Sequence, residues 1–188
     1  MTIYYPGTLF LVVGNSGSGK DSIISNVINE YPKHLKKIFR VKRFITRDPS
    51  ENEENYNVSH KKFEEMVKRG SFALKWHIYG LDYGVHIEII EWLKKGHPVV
   101  VNVSRTIIKK ARDQYHNVKV IFIKAPIEIT VKRLKSRGRE TKNLLGERIE
   151  RARTHQTFSE ADFMINNSGD LKDAVNDFLT YLLEIVKE

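Results

Sequence analysis

Cysteine is missing from all 188 residues. Neither a disulfide framework nor a thiolate metal site is therefore available, and nothing points to an oxidising compartment. Proline is scarce, at five residues, and no low-complexity or repeated tract interrupts the chain. The apolar runs, such as Leu9 to Val13, are far shorter than the ~20 residues a membrane helix needs, and the N-terminus carries no charged leader. A cytoplasmic protein with no membrane partner is the expectation. Negative charge is also in deficit: 23 Asp and Glu face 32 Lys and Arg, for a formal net charge of +9. An acidic partner fits, whether nucleotide, sugar phosphate, nucleic acid or membrane surface. No aromatic-and-basic RNA-binding module is present. The pairs Lys61-Lys62, Lys94-Lys95 and Lys109-Lys110 suit solvated helix faces. Small phosphorylated molecules are thus preferred to nucleic acid. His34, His60, His97, His116 and His155 show no metal-site spacing. The length suits one core and is short for two ordinary domains.

What is present is a glycine loop. Gly14-Asn-Ser-Gly-Ser-Gly-Lys20-Asp21 follows the apolar run Thr8 to Val13 and precedes an amphipathic stretch from Asp21 to Tyr31. Strand, glycine loop and helix together form the context of a P-loop, or Walker A motif. Gly14, Gly17 and Gly19 let successive backbone N–H groups, including those of Asn15, Ser16 and Ser18, face one anion, and the opening helix adds its positive end. Lys20 supplies a point charge for the β- and γ-phosphates. The usual final Ser or Thr is replaced by Asp21, with Ser22 next. Magnesium would then be held by the Asp21 carboxylate, by the Ser22 hydroxyl or through water. The alternative is a plain glycine turn with Asp21 complementing the helix dipole.

Further buried strands are expected at Pro98 to Val103, Val118 to Lys124 and Asp162 to Asn166, with a weaker one at Ile38 to Phe44. Helical stripes lie between them: Ile23, Ile24, Val27 and Ile28; Phe63, Met66 and Val67; Ile107, Ile108, Ala111 and Tyr115. Gly96 stops one helix and Pro126 opens another. A last helix starts near Asp170. The alternation implies an α/β, P-loop NTPase fold: a central, mainly parallel five-stranded sheet flanked by helices, binding ligands beyond its carboxyl edge. The chain reads as a single domain, 1–188, with a small acceptor-binding insert at about 43–84 and an arginine-rich lid at about 133–151.

The lid expectation rests on Arg133, Arg137, Arg139, Arg148 and Arg151 around the flexible Gly138, among seven Arg or Lys between Arg133 and Arg151. Guanidinium forks clamp the charge of a migrating phosphoryl group, and they must arrive on a movable element that excludes water. A helix kept soluble by arginine is the alternative. Arg43, Thr46 and Arg47, then Tyr56 and the segment Trp76 to Gly84 with Tyr83, suggest a second anion site. Individually each of these also reads as core or turn.

The segments GNSGSGKDS, RFITRD, WHIYGLDYGV, EIIEWLKKG, VVVNVSR and RLKSRGRE occur in this order. With them the chain resembles the ribose 1,5-bisphosphate phosphokinases, a family in the guanylate kinase-like branch of P-loop kinases associated with phosphonate breakdown. The resemblance runs from about Leu9 to Gly169. It implies ATP, with Mg2+, and ribose 1,5-bisphosphate as substrates, and ADP and 5-phosphoribosyl 1-diphosphate as products. By position it assigns Gly14 to Ser22 to the ATP phosphates and Arg43, Arg47, Tyr56 and Tyr83 to the acceptor. Arg137 and Arg148 become catalytic lid arginines beside Lys20, and Asp21 a metal-shell residue rather than a base. Guanylate kinases typically carry acidic residues where this chain has Asn102-Val-Ser-Arg105. Asn102 and Arg105 suit a second phosphate, whereas guanine wants acceptors. Two alternatives stand beside this reading: a guanylate or other nucleoside monophosphate kinase using Glu51, Glu53 or Glu54, and an inactive kinase-like scaffold. A homodimer is left open.

Overall fold

Leu9 to Val13 are wholly shut off from solvent, so an unbroken apolar run rather than an alternating one builds β1 (Leu9–Gly14). The computed structural model describes residues 2–49, 54–136 and 142–186. After the glycine loop, α1 (Lys20–Glu30) buries Ile23, Ile24 and Val27. Two short strands follow, β2 (Phe39–Arg40) and β3 (Phe44–Ile45), then β4 (Tyr56–Asn57) and α2 (His60–Lys68). Next come β5 (Phe72–Ile78), β6 (Leu81–His86), α3 (Ile89–Lys94) and β7 (Val99–Asn102). A 3-10 turn at Arg105–Ile107 leads into α4 (Ile108–Gln114) and β8 (Val118–Lys124). The chain continues through α5 (Ile127–Ser136), α6 (Lys142–Thr154), β9 (Phe163–Asn166) and α7 (Leu171–Val186).

The expected five-stranded sheet is present, in the order β2-β7-β1-β8-β9. Its outer pairs β2–β7 and β8–β9 are parallel. The strand expected over 38–44 is divided. Phe39–Arg40 joins this sheet, and Val41 extends the pairing by donating its N–H to Val100 O (2.9 Å). Phe44–Ile45 joins a second sheet instead. Arg40, Lys42 and Arg43 make the run too polar to be covered on both faces.

That second sheet, ordered β4-β3-β6-β5, is the main departure from the sequence expectation. Its β5–β6 hairpin turns through Tyr79 and Gly80, both at positive φ (54° and 69°) with Ile78 opposite Leu81, the geometry of a two-residue type I′ turn. Gly84 is dictated by packing: a side chain there would strike the Phe72 ring. Phe72 also stacks on Phe63 of α2 at 4.6 Å, and α2 is capped by Ser59 Oγ, which accepts from Lys62 N (3.2 Å). Gly96, at φ 78°, ends α3 as anticipated, with His97 N donating to Trp92 O and Gly96 N to Leu93 O.

The chain divides into two compact units, Met1–Leu11 with Pro32–Val118, and Val12–Tyr31 with Lys119–Glu188. The first contains the whole second sheet, and the second contains the glycine loop with α5, α6 and α7. Among the described residues no helix is long and apolar enough to cross a membrane.

Candidate active site

The glycine loop is fixed by its carbonyls. Lys20 Nζ donates to Gly14 O (2.8 Å) and Asn15 O (2.9 Å), and Asn15 O also accepts from Ser18 N (3.1 Å). Gly17 O accepts from Arg133 Nη1 (3.2 Å) and Ser18 O from Asn167 Nδ2 (2.7 Å). Gly19 O receives Ile23 N (3.0 Å) as the first turn of α1. Peptide groups pinned by their oxygens present their N–H edges the other way, which is the polarity an anion cradle requires. Among the described residues no side chain caps the N-terminus of α1 at Gly19.

Gly14, Gly17 and Gly19 are all compelled, Gly17 by a φ of 86° and the Thr130 carbonyl 2.9 Å from where a side chain would start. Gly14 lies at φ 154°, where a side chain would sit 2.5 Å from Ile123 O and 2.9 Å from Ser18 Oγ. Gly19 lies at φ 91°, where a side chain would strike Asn167 Nδ2. Asn15 Nδ2 ties the loop to the end of α6 by donating to Ala152 O (3.2 Å) and His155 O (3.0 Å). Ser18 is 1% exposed and its hydroxyl faces inward with no hydrogen-bond partner among the described residues. Asp21 and Ser22 occupy the first turn of α1, half-buried and exposed respectively. Both are hard oxygen donors of the kind Mg2+ takes alongside phosphates and water. Arg148 is 5% exposed in α6. Arg137, Arg139 and Gly138 lie outside the described residues.

The residues expected to make a second anion site fall mostly on one face of the second sheet. Register sets Ile45 opposite Tyr83, and Phe44 opposite both Gly84 and Tyr56. Alternation then puts Arg43, Asn55 and Asn57 on the face of Tyr83, and Tyr56 on the reverse face. The contacts agree. The Arg43 guanidinium lies 5.7 Å over the Tyr83 ring and donates from Nε to Asn55 Oδ1 (3.2 Å). Tyr83 is buried and stacks on Trp76 at 5.3 Å and 3°. Asn57 Nδ2 donates to Arg47 O (2.8 Å). Tyr56, 49% exposed, packs instead against Phe44 at 4.9 Å. Thr46 is buried and buttresses β6: its N–H donates to Asp82 O (3.1 Å) and its Oγ1 accepts from Asp82 N (2.9 Å). Because β2 runs parallel to β7, Arg43 and Asn102 leave the five-stranded sheet at the same end. Asn102 is buried, and Arg105 opens the 3-10 turn that Ser104 caps through Thr106 N (3.3 Å). Asn55, Asn57 and Asn167 fall outside the sequence motifs. The one signal was an amide residue at a strand end beside a glycine loop or an arginine pair.

A glycine loop between strand and helix on a mainly parallel sheet defines a P-loop NTPase fold. The guanylate kinase family model matches residues 7–185. The ribose 1,5-bisphosphate phosphokinase PhnN of Bradyrhizobium diazoefficiens is 36% identical over 164 residues, 87% of this chain and 82% of that one. The enzyme of the same name from Rhodopseudomonas palustris is 35% identical over 182 residues, 97% of this chain and 89% of the relative. Guanylate kinase from Anaplasma phagocytophilum shares the fold, with a TM-score of 0.70 at 16% identity over 98% of this chain and 89% of the other. The chain belongs to the guanylate kinase family and, within it, to the ribose 1,5-bisphosphate phosphokinases.

Proposed function

We propose that this kinase transfers the terminal phosphoryl group of ATP to ribose 1,5-bisphosphate, giving ADP and 5-phosphoribosyl 1-diphosphate, in the cytoplasm and as a step of phosphonate breakdown. The observation that carries the reading is the identity of 35–36% to enzymes of that name over 87–97% of the chain. An oxygen of the acceptor's 1-phosphate attacks the γ-phosphorus while the bond to the β–γ bridging oxygen breaks. That oxygen is already ionised, so no side chain has to remove a proton. Alignment and charge neutralisation supply the catalysis.

In this reading the N–H groups of Gly14 to Ser22 and the Lys20 ammonium hold the ATP phosphates. Lys20 leaves its two carbonyls for phosphate oxygens, which as anions are the stronger acceptors. Asp21 and Ser22 would hold Mg2+, which neutralises phosphate charge when bound. Arg43, Arg47, Tyr83, Asn102 and Arg105 receive the acceptor within the insert, about 43–84, and the end of β7. Tyr56, expected there from the sequence, lies on the reverse face of the sheet against Phe44. Arg133 and Arg148, with Arg137 and Arg139 outside the described residues, form the lid, about 133–151. ADP release measured with a panel of acceptors tests the proposal. Turnover confined to ribose 1,5-bisphosphate is expected, GMP turnover would make this a nucleoside monophosphate kinase, and no turnover would leave a scaffold.

A further inference from the structure

The acceptor reading leaves Arg43 with a geometric problem. A guanidinium on a long side chain samples many orientations, and two edges of its fork suit a phosphate: the Nε–Nη edge and the Nη–Nη edge. Two neighbours restrict this one. The Tyr83 ring, locked parallel to Trp76, lies 5.7 Å under the Arg43 carbon, and Asn55 Oδ1 accepts from Nε at 3.2 Å. Asn55 is itself placed by β4, whose backbone pairs with β3 through Tyr56 N to Arg43 O (2.8 Å) and Val58 N to Ile45 O (3.0 Å). With Nε occupied, the edge left for a bidentate phosphate contact is Nη–Nη.

From this placement we infer that Asn55 is a positioning residue of the acceptor site: it holds Arg43 by Nε so that the Nη–Nη edge meets the acceptor's phosphate, and as a neutral amide it does so without cancelling the charge. The second half separates asparagine from aspartate. A carboxylate at this place would grip Arg43 more firmly and compete with the phosphate for it. The pattern nearby shows the contrast, for Glu54, one residue earlier, points its carboxylate at Arg40 (3.7 Å) and Lys42 (3.5 Å) and leaves Arg43 to the amide.

The inference rests on the reading of Arg43 as an acceptor ligand, so its test includes Arg43→Ala. Steady-state kinetics with ribose 1,5-bisphosphate and ATP varied separately, on the full chain, supply the readout, with thermal melts alongside. Arg43→Ala should raise the acceptor KM by about a hundredfold and Asn55→Ala by about tenfold, each with the ATP KM within twofold. Asn55→Asp should exceed Asn55→Ala near pH 8, and its deficit relative to the unaltered chain at the same pH should shrink as the pH falls into the carboxyl range. A structural part in the fold alone would not give that pH dependence. Should Asn55→Ala fail to fold, the near-isosteric Asp variant and its pH profile carry the test. A large effect of Arg43→Ala with both Asn55 variants near normal overturns the inference and leaves the acceptor reading standing. Equal rises in the KM for ATP and acceptor on changing Asn55 also overturn it. No effect of Arg43→Ala removes the acceptor reading and this inference with it.

Discussion

The Asn167 amide donates to the Ser18 carbonyl across 2.7 Å, fastening the residue after β9 to the middle of the glycine loop. Asn167 is 4% exposed, and its own N–H is held by Lys124 O (2.7 Å). Its removal therefore releases one loop peptide and strands a buried carbonyl. Asn167→Ala should weaken ATP binding by about 1 to 3 kcal/mol, the cost of a buried group left unsatisfied. Asn167→Asp should be worse, since it sets oxygen against oxygen and negative charge beside the phosphates. Titration calorimetry with ATP checks this, and unchanged affinity in both variants would show that the loop holds its shape unaided.

Lys20→Ala should abolish turnover and leave the fold intact. The lysine bridges two loop carbonyls, but the loop keeps its ties from Arg133, Asn167 and the first turn of α1. Circular dichroism and an ADP assay suffice, and near-normal turnover in a folded variant would refute the phosphate role of Lys20.

Gly19→Ala brings two costs together, a left-handed φ of 91° and a clash with Asn167 Nδ2. Left-handed backbone alone costs a side chain roughly 1–2 kcal/mol, and for a chain of this size each kcal/mol lowers Tm by about 2–4 °C. A loss of several degrees is expected. Because Asn167 is one source of the strain, the double variant Gly19→Ala/Asn167→Ala should melt higher than the two single losses added together. Strict additivity would place the whole penalty in the backbone.

Burial, and secondarily the nearby Tyr5, pushes the Tyr115 phenol up to about 12 from an ordinary 10.0, and burial raises Tyr31 and Tyr181 in the same direction. Tyr115 donates to Ala73 O at 3.4 Å. Above pH 10 the unfolded chain releases phenolic protons that the folded chain keeps, so stability is fully present below pH 10 and falls between pH 10 and 12. For Tyr115 alone the slope approaches roughly 1.4 kcal/mol per pH unit. Urea melts from pH 8 to 11.5 should show a shallower alkaline loss in Tyr115→Phe, and an identical slope would assign the loss to other groups.

The five-stranded sheet and the glycine loop were legible in the sequence because their signals are local. Apolar runs such as Val118 to Lys124 can hardly be anything but covered strands, and a strand, glycines and lysine in succession specify a loop by backbone conformation alone. The second sheet was not legible. Its strands β3 and β4 have two residues each, too few for any periodicity, and its tight turn uses Tyr79-Gly80 where the usual signal is Asn-Gly. Residue type alone groups Arg43, Arg47, Tyr56 and Tyr83, and the register that parts Tyr56 from Arg43 and Tyr83 emerges only from pairing across the sheet. Asn167 escaped for the related reason that its partner, Ser18, lies 149 positions away.

Acceptor choice should respond to charge at the end of β7. Asn102 is 8% exposed where that strand leaves the sheet, on the same side as Arg43. On the proposed acceptor reading, Asn102→Asp would put a carboxylate beside a site that has to receive two phosphate groups, where like charges about 4 Å apart repel by about 4 kcal/mol at an effective dielectric of 20. On that reading the neutral amide would donate to a phosphate or ribose oxygen instead. The variant should show a KM for ribose 1,5-bisphosphate at least tenfold higher, an ATP KM within twofold, and at most trace turnover of GMP, because recognition of guanine needs more than one acceptor. If Asn102 belongs to the metal side, an aspartate would be tolerated or helpful. Kinetics with both acceptors separate the two outcomes, and unchanged or improved turnover of the sugar bisphosphate in Asn102→Asp would take Asn102 out of the acceptor site.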